Sequence, residues 1–174
     1  MKKKQLLMAM CLCAMVSFGS GGKSLAQDID VPDVSNKVYD GGSVTGNGGA
    51  ILNTIDSTIK NSSFNNNSAT KNGGAIHNEG TLNVADTIFE SNTAKYGGAI
   101  NNIKDLTITG NTIFRNNSTL SSGRGAAIQV NLTKNQSSNT TIGDGVKFIN
   151  NIAKSHGGAI YLSDYNKSVL NFTI

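Results

Sequence analysis

Gly73-Gly74-Ala75-Ile76 decides the fold, because the same four residues stand at Gly48-Gly49-Ala50-Ile51, Gly97-Gly98-Ala99-Ile100 and Gly157-Gly158-Ala159-Ile160. Gly125-Ala126-Ala127-Ile128 is a fifth copy with one glycine replaced. A second motif, Phe-x-x-Asn, alternates with the tetrad: Phe64 to Asn67, Phe89 to Asn92, Phe114 to Asn117 and Phe148 to Asn151. The tetrads begin 25, 24, 28 and 32 residues apart. Self-similarity at such a period marks a stacked repeat, in which each unit buries its apolar face only against its neighbours.

Within the repeat from Gly73 to Tyr96 the apolar residues recur every second position, the period of a strand and not of a helix. Ala75 to Asn78, Thr81 to Val84 and Thr87 to Phe89 read as three short strands separated by turns at Glu79-Gly80 and Ala85-Asp86, and Thr93 to Tyr96 lead into the next tetrad. Strands that turn the same way in every period pair in parallel with their equivalents one coil away, and parallel crossovers are strongly right-handed. The expected fold is therefore all-β: a right-handed, single-stranded parallel β-helix, or solenoid, of about five rungs spaced ~4.8 Å apart.

That frame gives each motif residue a place. Ile51, Ile76, Ile100, Ile128 and Ile160 form one inner column, and Phe64, Phe89, Phe114 and Phe148 another. A side-chain amide both donates and accepts, so Asn67, Asn92, Asn117 and Asn151 can hydrogen-bond along the rod as an inward ladder. The paired glycines permit positive φ or close backbone approach at the tightest corner. A phosphate-cradling loop would need glycines opening a helix, and here a strand follows, so nucleotide binding is discounted.

Residues 1–26 have the arrangement of a secretory signal peptide: Lys2 to Lys4, an apolar run from Leu6 to Phe18, and small residues before Gln27. The apolar run is short of the ~20 residues that a spanning helix needs. Both cysteines, Cys11 and Cys13, lie in this segment, so the exported chain has no disulfide to rely on. Its four lysines account for the whole net charge of +4; beyond it 11 basic residues face 11 acidic ones. A neutral body offers no electrostatic case for nucleic acid. The 23 asparagines and 20 glycines could describe a disordered tract, but the regular Ile and Phe positions argue for ordered repetition. Residues 27–47 read as an irregular lead-in and N-terminal cap, with Val38 to Val44 a degenerate first turn, and residues 48–174 as the repeats. The long spacings place insertions at Ser121-Ser122-Gly123 and between Gln129 and Thr141, as projecting loops.

Catalysis on a β-helix needs gathered carboxylates. Asp56 and Asp105 share a repeat position, two rungs apart, with no acid between them, while Asp86 and Asp144 fall elsewhere. No Ser/His/Asp arrangement or metal-ligand spacing is present, and His77 and His156 occupy different repeat positions. No enzyme activity and no cofactor is expected; a carbohydrate-active β-helix enzyme is the alternative, and a purely structural stalk a further one.

Tandem GGAI and FxxN motifs in an exported chain resemble the polymorphic outer membrane proteins of the chlamydiae and, more broadly, autotransporter adhesin passengers. The resemblance runs from Gly48 to the end. It implies a β-helical passenger displayed on a bacterial surface or secreted, attached to the outer membrane through a C-terminal β-barrel, and engaging a protein or glycan on host cells. No barrel-sized set of strands and no proteolytic motif is found in this sequence. Phe172 follows Gly157 at nearly the Phe-to-tetrad offset of earlier repeats, so Phe172-Thr173-Ile174 reads as the start of another Phe-x-x-Asn in a truncated passenger. Lys71, Lys95, Arg124 and Lys154 each stand one to three residues before a tetrad. They give a rough cationic stripe suited to sulfated or acidic glycans, or else to keeping the surface solvated.

Overall fold

The computed structural model describes residues 28–164 and 168–174; the signal-peptide reading of residues 1–26 lies outside them. Every strand pairing is parallel, and the strands stack into four sheets that run along a solenoid. The tetrad sheet contains Ile51–Asn53, Ile76–Asn78, Ile100–Asn102, Ile128–Asn131 and Ile160–Ser163. A second sheet contains Ser57–Lys60, Leu82–Ala85, Leu106–Thr109, Ser137–Ile142 and Val169–Thr173. The Phe sheet contains Ser63–Asn65, Ile88–Glu90, Ile113–Arg115 and Lys147–Ile149.

The fourth sheet corrects the three-strand repeat. Ser68–Ala69, Thr93–Tyr96 and Ser118–Arg124 pair in parallel, so the residues leading into each tetrad are themselves a strand. It is short, and Ala69 and Ala94 are its buried side chains, too small to stand out as an apolar period. About four turns carry all four strands. In the coil that starts at Gly125 the fourth strand is reduced to isolated bridges, Ser118 to Ile152 and Arg124 to His156.

Three further expectations change. The lead-in is not irregular: Asp28–Ile29, Asp33–Ser35, Val38–Asp40 and Ser43–Val44 make a coil in register with the next one, with Val34 opposite Ile59 and Tyr39 opposite Phe64. Tyr39-Asp40-Gly41-Gly42 there replaces Phe-x-x-Asn, and the Gly42 amide donates to Asn67 Oδ1 at 2.9 Å. The expected loop after Gln129 is mostly strand, since Ser137–Ile142 prolongs the second sheet and pairs with Val169–Thr173. Phe172 lies in that sheet, opposite Thr140 and not in the Phe column. Its offset from Gly157 matches the repeat by coincidence.

The core is a set of columns. Ile51, Ile76, Ile100 and Ile128 are buried in register, with Ile160 partly buried above them. Tyr39, Phe64, Phe89, Phe114 and Phe148 stack with ring centroids 4.8, 5.0, 4.7 and 5.1 Å apart. The near-parallel rings follow from identical rotamers on strands one rung apart, where offset stacking adds to area burial.

Candidate functional site

The corner after Phe is closed by the asparagines. The residue before each one is left-handed: Asn66, Ser91, Asn116 and Asn150 have φ of 54°, 56°, 56° and 51°. That turn swings Asn67, Asn92, Asn117 and Asn151 inward. Asn67 Nδ2 donates to Asn92 Oδ1 at 3.0 Å, Asn92 to Asn117 at 3.0 Å and Asn117 to Asn151 at 2.9 Å. Each Oδ1 also accepts the backbone N–H of the asparagine below it. Sequence reading missed a second ladder at the end of the tetrad strand, where Asn53 donates to Asn78 and Asn78 to Asn102, both at 2.7 Å. Its signal was an asparagine two residues after the tetrad isoleucine in three repeats.

The two glycines of the tetrad do different things. Gly48, Gly73, Gly97, Gly125 and Gly157 have φ between 62° and 68°, the left-handed region that glycine enters without strain. A Cβ on Gly74 would lie 2.0 Å from the Gly98 carbonyl oxygen, and one on Gly49 2.0 Å from that of Gly74, so the second glycine lets coils touch backbone to backbone. Both roles are architectural.

Function has to be sought on the outer side of this corner. Registers align Asn72, Tyr96, Arg124 and His156 in one column. Lys71 and Lys95 therefore sit one residue before it, Arg124 within it and Lys154 two residues before it. The four cations share a corner but not a column. Lys71, Lys95 and Lys154 are exposed, and Lys95 Nζ lies 5.2 Å from the Tyr96 ring centroid. Arg124 is half-buried; its guanidinium is 5.3 Å from the Tyr161 ring centroid, and Nη1 donates to the Tyr161 hydroxyl at 3.4 Å. His156 tilts against the same ring at 5.9 Å.

A second outer column was not foreseen. Four residues after the first tetrad glycine come His77, Asn101, Gln129 and Tyr161, which pair one above another. Strand alternation points them away from the core, yet His77, Asn101 and Gln129 are 4%, 1% and 4% exposed. The tetrad turn folds against them: a Cβ on Gly125 would lie 2.9 Å from the Gln129 Cβ, and one on Gly157 2.8 Å from that of Tyr161. His77 Nδ1, Asn101 Nδ2, Gln129 Oε1 and Arg124 Nε are buried without a hydrogen-bond partner. His77 Nε2 meets Glu79 Oε1 at 3.0 Å. Burial lowers the His77 pKa, against the opposing pull of Glu79 and Asn101.

The acids do not assemble. Backbone pairing places Thr81 between Asp56 and Asp105, and the Asp105 carboxylate accepts the Asn139 amide at 2.7 Å as a turn cap. Among the described residues no three His, Cys, Asp or Glu side chains gather as a metal site. A shallow depression between the second and Phe sheets sets Lys37 and Asp86 on one rim.

Comparison with known families matches the Chlamydia polymorphic membrane protein repeat at residues 61–79, 86–103 and 145–163. The first match runs from the Phe-x-x-Asn corner through the tetrad to the second ladder. Neither the curated proteins nor the solved structures supplied a match. A parallel β-solenoid that carries the Chlamydia polymorphic membrane protein repeat three times is consistent with the polymorphic outer membrane protein family.

Proposed function

We propose that the chain is a non-enzymatic segment of an autotransporter-type passenger, displayed at the bacterial surface or secreted, that acts in adhesion to host cells or surfaces. The repeat match supports the class, since the family implies an outer-membrane or surface location. Export and anchoring through a C-terminal β-barrel belong to the same reading. Its adhesive part rests on one observation: cations and tyrosines, with unpartnered buried amide atoms beneath them, collect on the outer side of the tetrad corner. The partner is a protein or glycan of the host surface.

The exported segment, labelled and added to cultured host cells, is expected to bind saturably and to compete with its unlabelled form. No saturable binding would leave a structural stalk as the better reading. Release of cleaved products from acidic polysaccharides would replace adhesion with the carbohydrate-active enzyme.

A further inference from the structure

The tetrad corners differ along the rod, and the upper ones depart most from the repeat. Between the pairs Ala94–Thr119 and Tyr96–Arg124 the lower strand has only Lys95, while the upper strand has Leu120, Ser121, Ser122 and Gly123. This bulge turns through Ser122 at φ 59° and closes on Gly123, where a Cβ would lie 2.2 Å from the Lys95 carbonyl oxygen. It sets Leu120, 42% exposed, and two hydroxyls beside Lys95. Insertions on a solenoid project from one face, and this one projects where Arg124, Lys154, His156 and Tyr161 meet.

The charge at this corner has one sign. Residues 93–103, 118–131 and 151–163 contain Lys95, Arg124 and Lys154 and no Asp or Glu. The acids nearest these segments along the chain are Asp164, one residue beyond the third, Asp105, two residues beyond the first, and Glu90, three residues before it and paired with Arg115. Arg124 is held in place by the Tyr161 ring and hydroxyl, so its fork is oriented before any ligand arrives. Its Nε and Gln129 Oε1, a donor and an acceptor, are buried and unpartnered beneath the corner. Unsatisfied buried groups are costly and rare in a folded protein.

We infer that the corner formed by Arg124, His156 and Tyr161, flanked by Lys95, Lys154 and the 120–123 bulge, binds a sulfated glycan chain. The inference rests on the adhesive reading above and narrows it to one place and one chemistry. A guanidinium and ammonium groups take the anionic substituents. Hydroxyls, imidazole and the exposed Leu120 meet the sugar rings, which offer both hydroxyls and apolar faces. An extended peptide has less to bind: Ser118–Arg124 is paired or bridged on both sides, as is Ile128–Asn131, and among the described residues the strand edge left at the corner is that of Ile160–Ser163.

The test uses the exported chain and size-defined heparin oligosaccharides, with their desulfated forms and poly-glutamate as comparisons, read by calorimetry at two salt concentrations. The Arg124→Gln/Lys154→Gln/Tyr161→Leu variant is expected to bind the sulfated chain about tenfold more weakly or worse, the order of one lost charged hydrogen bond. Arg124→Lys is expected to lose much of this, because charge alone does not replace the fork. A Lys60→Gln/Lys147→Gln control, with exposed lysines on other faces, is expected to bind unchanged. Lys154→Gln alone alters one exposed side chain and keeps the test valid if the triple variant misfolds. The site is overturned by equal loss in the control, by equal binding of desulfated chains or poly-glutamate, or by no glycan binding at all. Cell binding that survives both glycan removal and the triple variant overturns the site and leaves adhesion standing. Arg124-dependent glycan binding without cell binding upholds the site and removes adhesion.

Discussion

Asn92, at the corner after the Phe strand, and Asn101, in the next tetrad strand, are the same residue type, buried to the same degree, and they face opposite ways. Asn92 is inside, and its amide is fully engaged: Oδ1 accepts from Asn67 N and Nδ2, and Nδ2 donates to Phe64 O at 2.8 Å and to Asn117 Oδ1. Asn101 is outside, beneath the tetrad turn, and its Nδ2 has no partner. The inner column repeats one residue at every rung because each amide must fit the next. The outer column runs Leu52, His77, Asn101, Gln129, Tyr161 and repeats nothing. Architecture thus fixes the inside of the solenoid and leaves the outside of the corner free to vary.

The largest test of that division is steric. In Gly74→Ala the new Cβ would meet the Gly98 carbonyl at 2.0 Å and the Thr93 amide at 2.6 Å, both backbone. Since neither can yield without parting two coils, we expect a loss of ~4 kcal/mol or more. Gly158→Ala, at the same motif position in an upper coil, meets only the Asn151 oxygen at 3.2 Å and should change stability by less than about 0.5 kcal/mol. Urea denaturation of both variants reads the difference directly. Ala126 already carries a methyl at this position, so a similar cost in both variants would mean that coil contact is not what the second glycine supplies.

The next test compares the two asparagines. Asn92→Ala takes the acceptor from the Asn67 backbone N–H, the side-chain donor from the Phe64 carbonyl and one of two donors from Asn117 Oδ1, and should cost ~3 kcal/mol through unsatisfied buried groups. Asn101→Ala removes an amide whose Nδ2 already lacks a partner, together with its contact to His77, and should cost ~1 kcal/mol, mainly from lost packing. Equal losses in equilibrium unfolding would show that the outer column is as much a part of the scaffold as the ladder.

Much of this interior was legible because its residues recur. Phe89 and Asn92 announce their columns by standing at fixed offsets from Gly73, and stacked rings and an amide ladder favour the same residue at successive rungs. The fourth strand was not legible: Thr93–Tyr96 buries only Ala94, and an alanine carries little periodic signal. Phe172 misled for the opposite reason, since a recognisable residue at a familiar offset fell one sheet early. The outer corner was half legible. Its cations stood out by position, but their registry did not, because the bulge at 120–123 shifts Arg124 relative to Lys95. Gln129 and Tyr161 gave no sign, as nothing at their offset repeats.

The smallest effect concerns the histidine of the outer column. Burial depresses the His77 pKa below its ordinary 6.5, with Glu79 and Asn101 pulling the other way. The unfolded chain therefore takes up this proton more readily than the folded chain. The contribution of His77 is whole above pH ~6.5 and declines as pH falls below it towards the folded pKa. In wild type minus His77→Asn, stability should fall modestly between about pH 7 and pH 5. A difference that rises on acidification would mean that the Glu79 contact outweighs burial, so that the column is held by an ion pair at 3.0 Å and not by a neutral ring. In that case acid would tighten the outer corner, and the contrast with the uncharged inner ladder would be one of charge and not of unpaired groups.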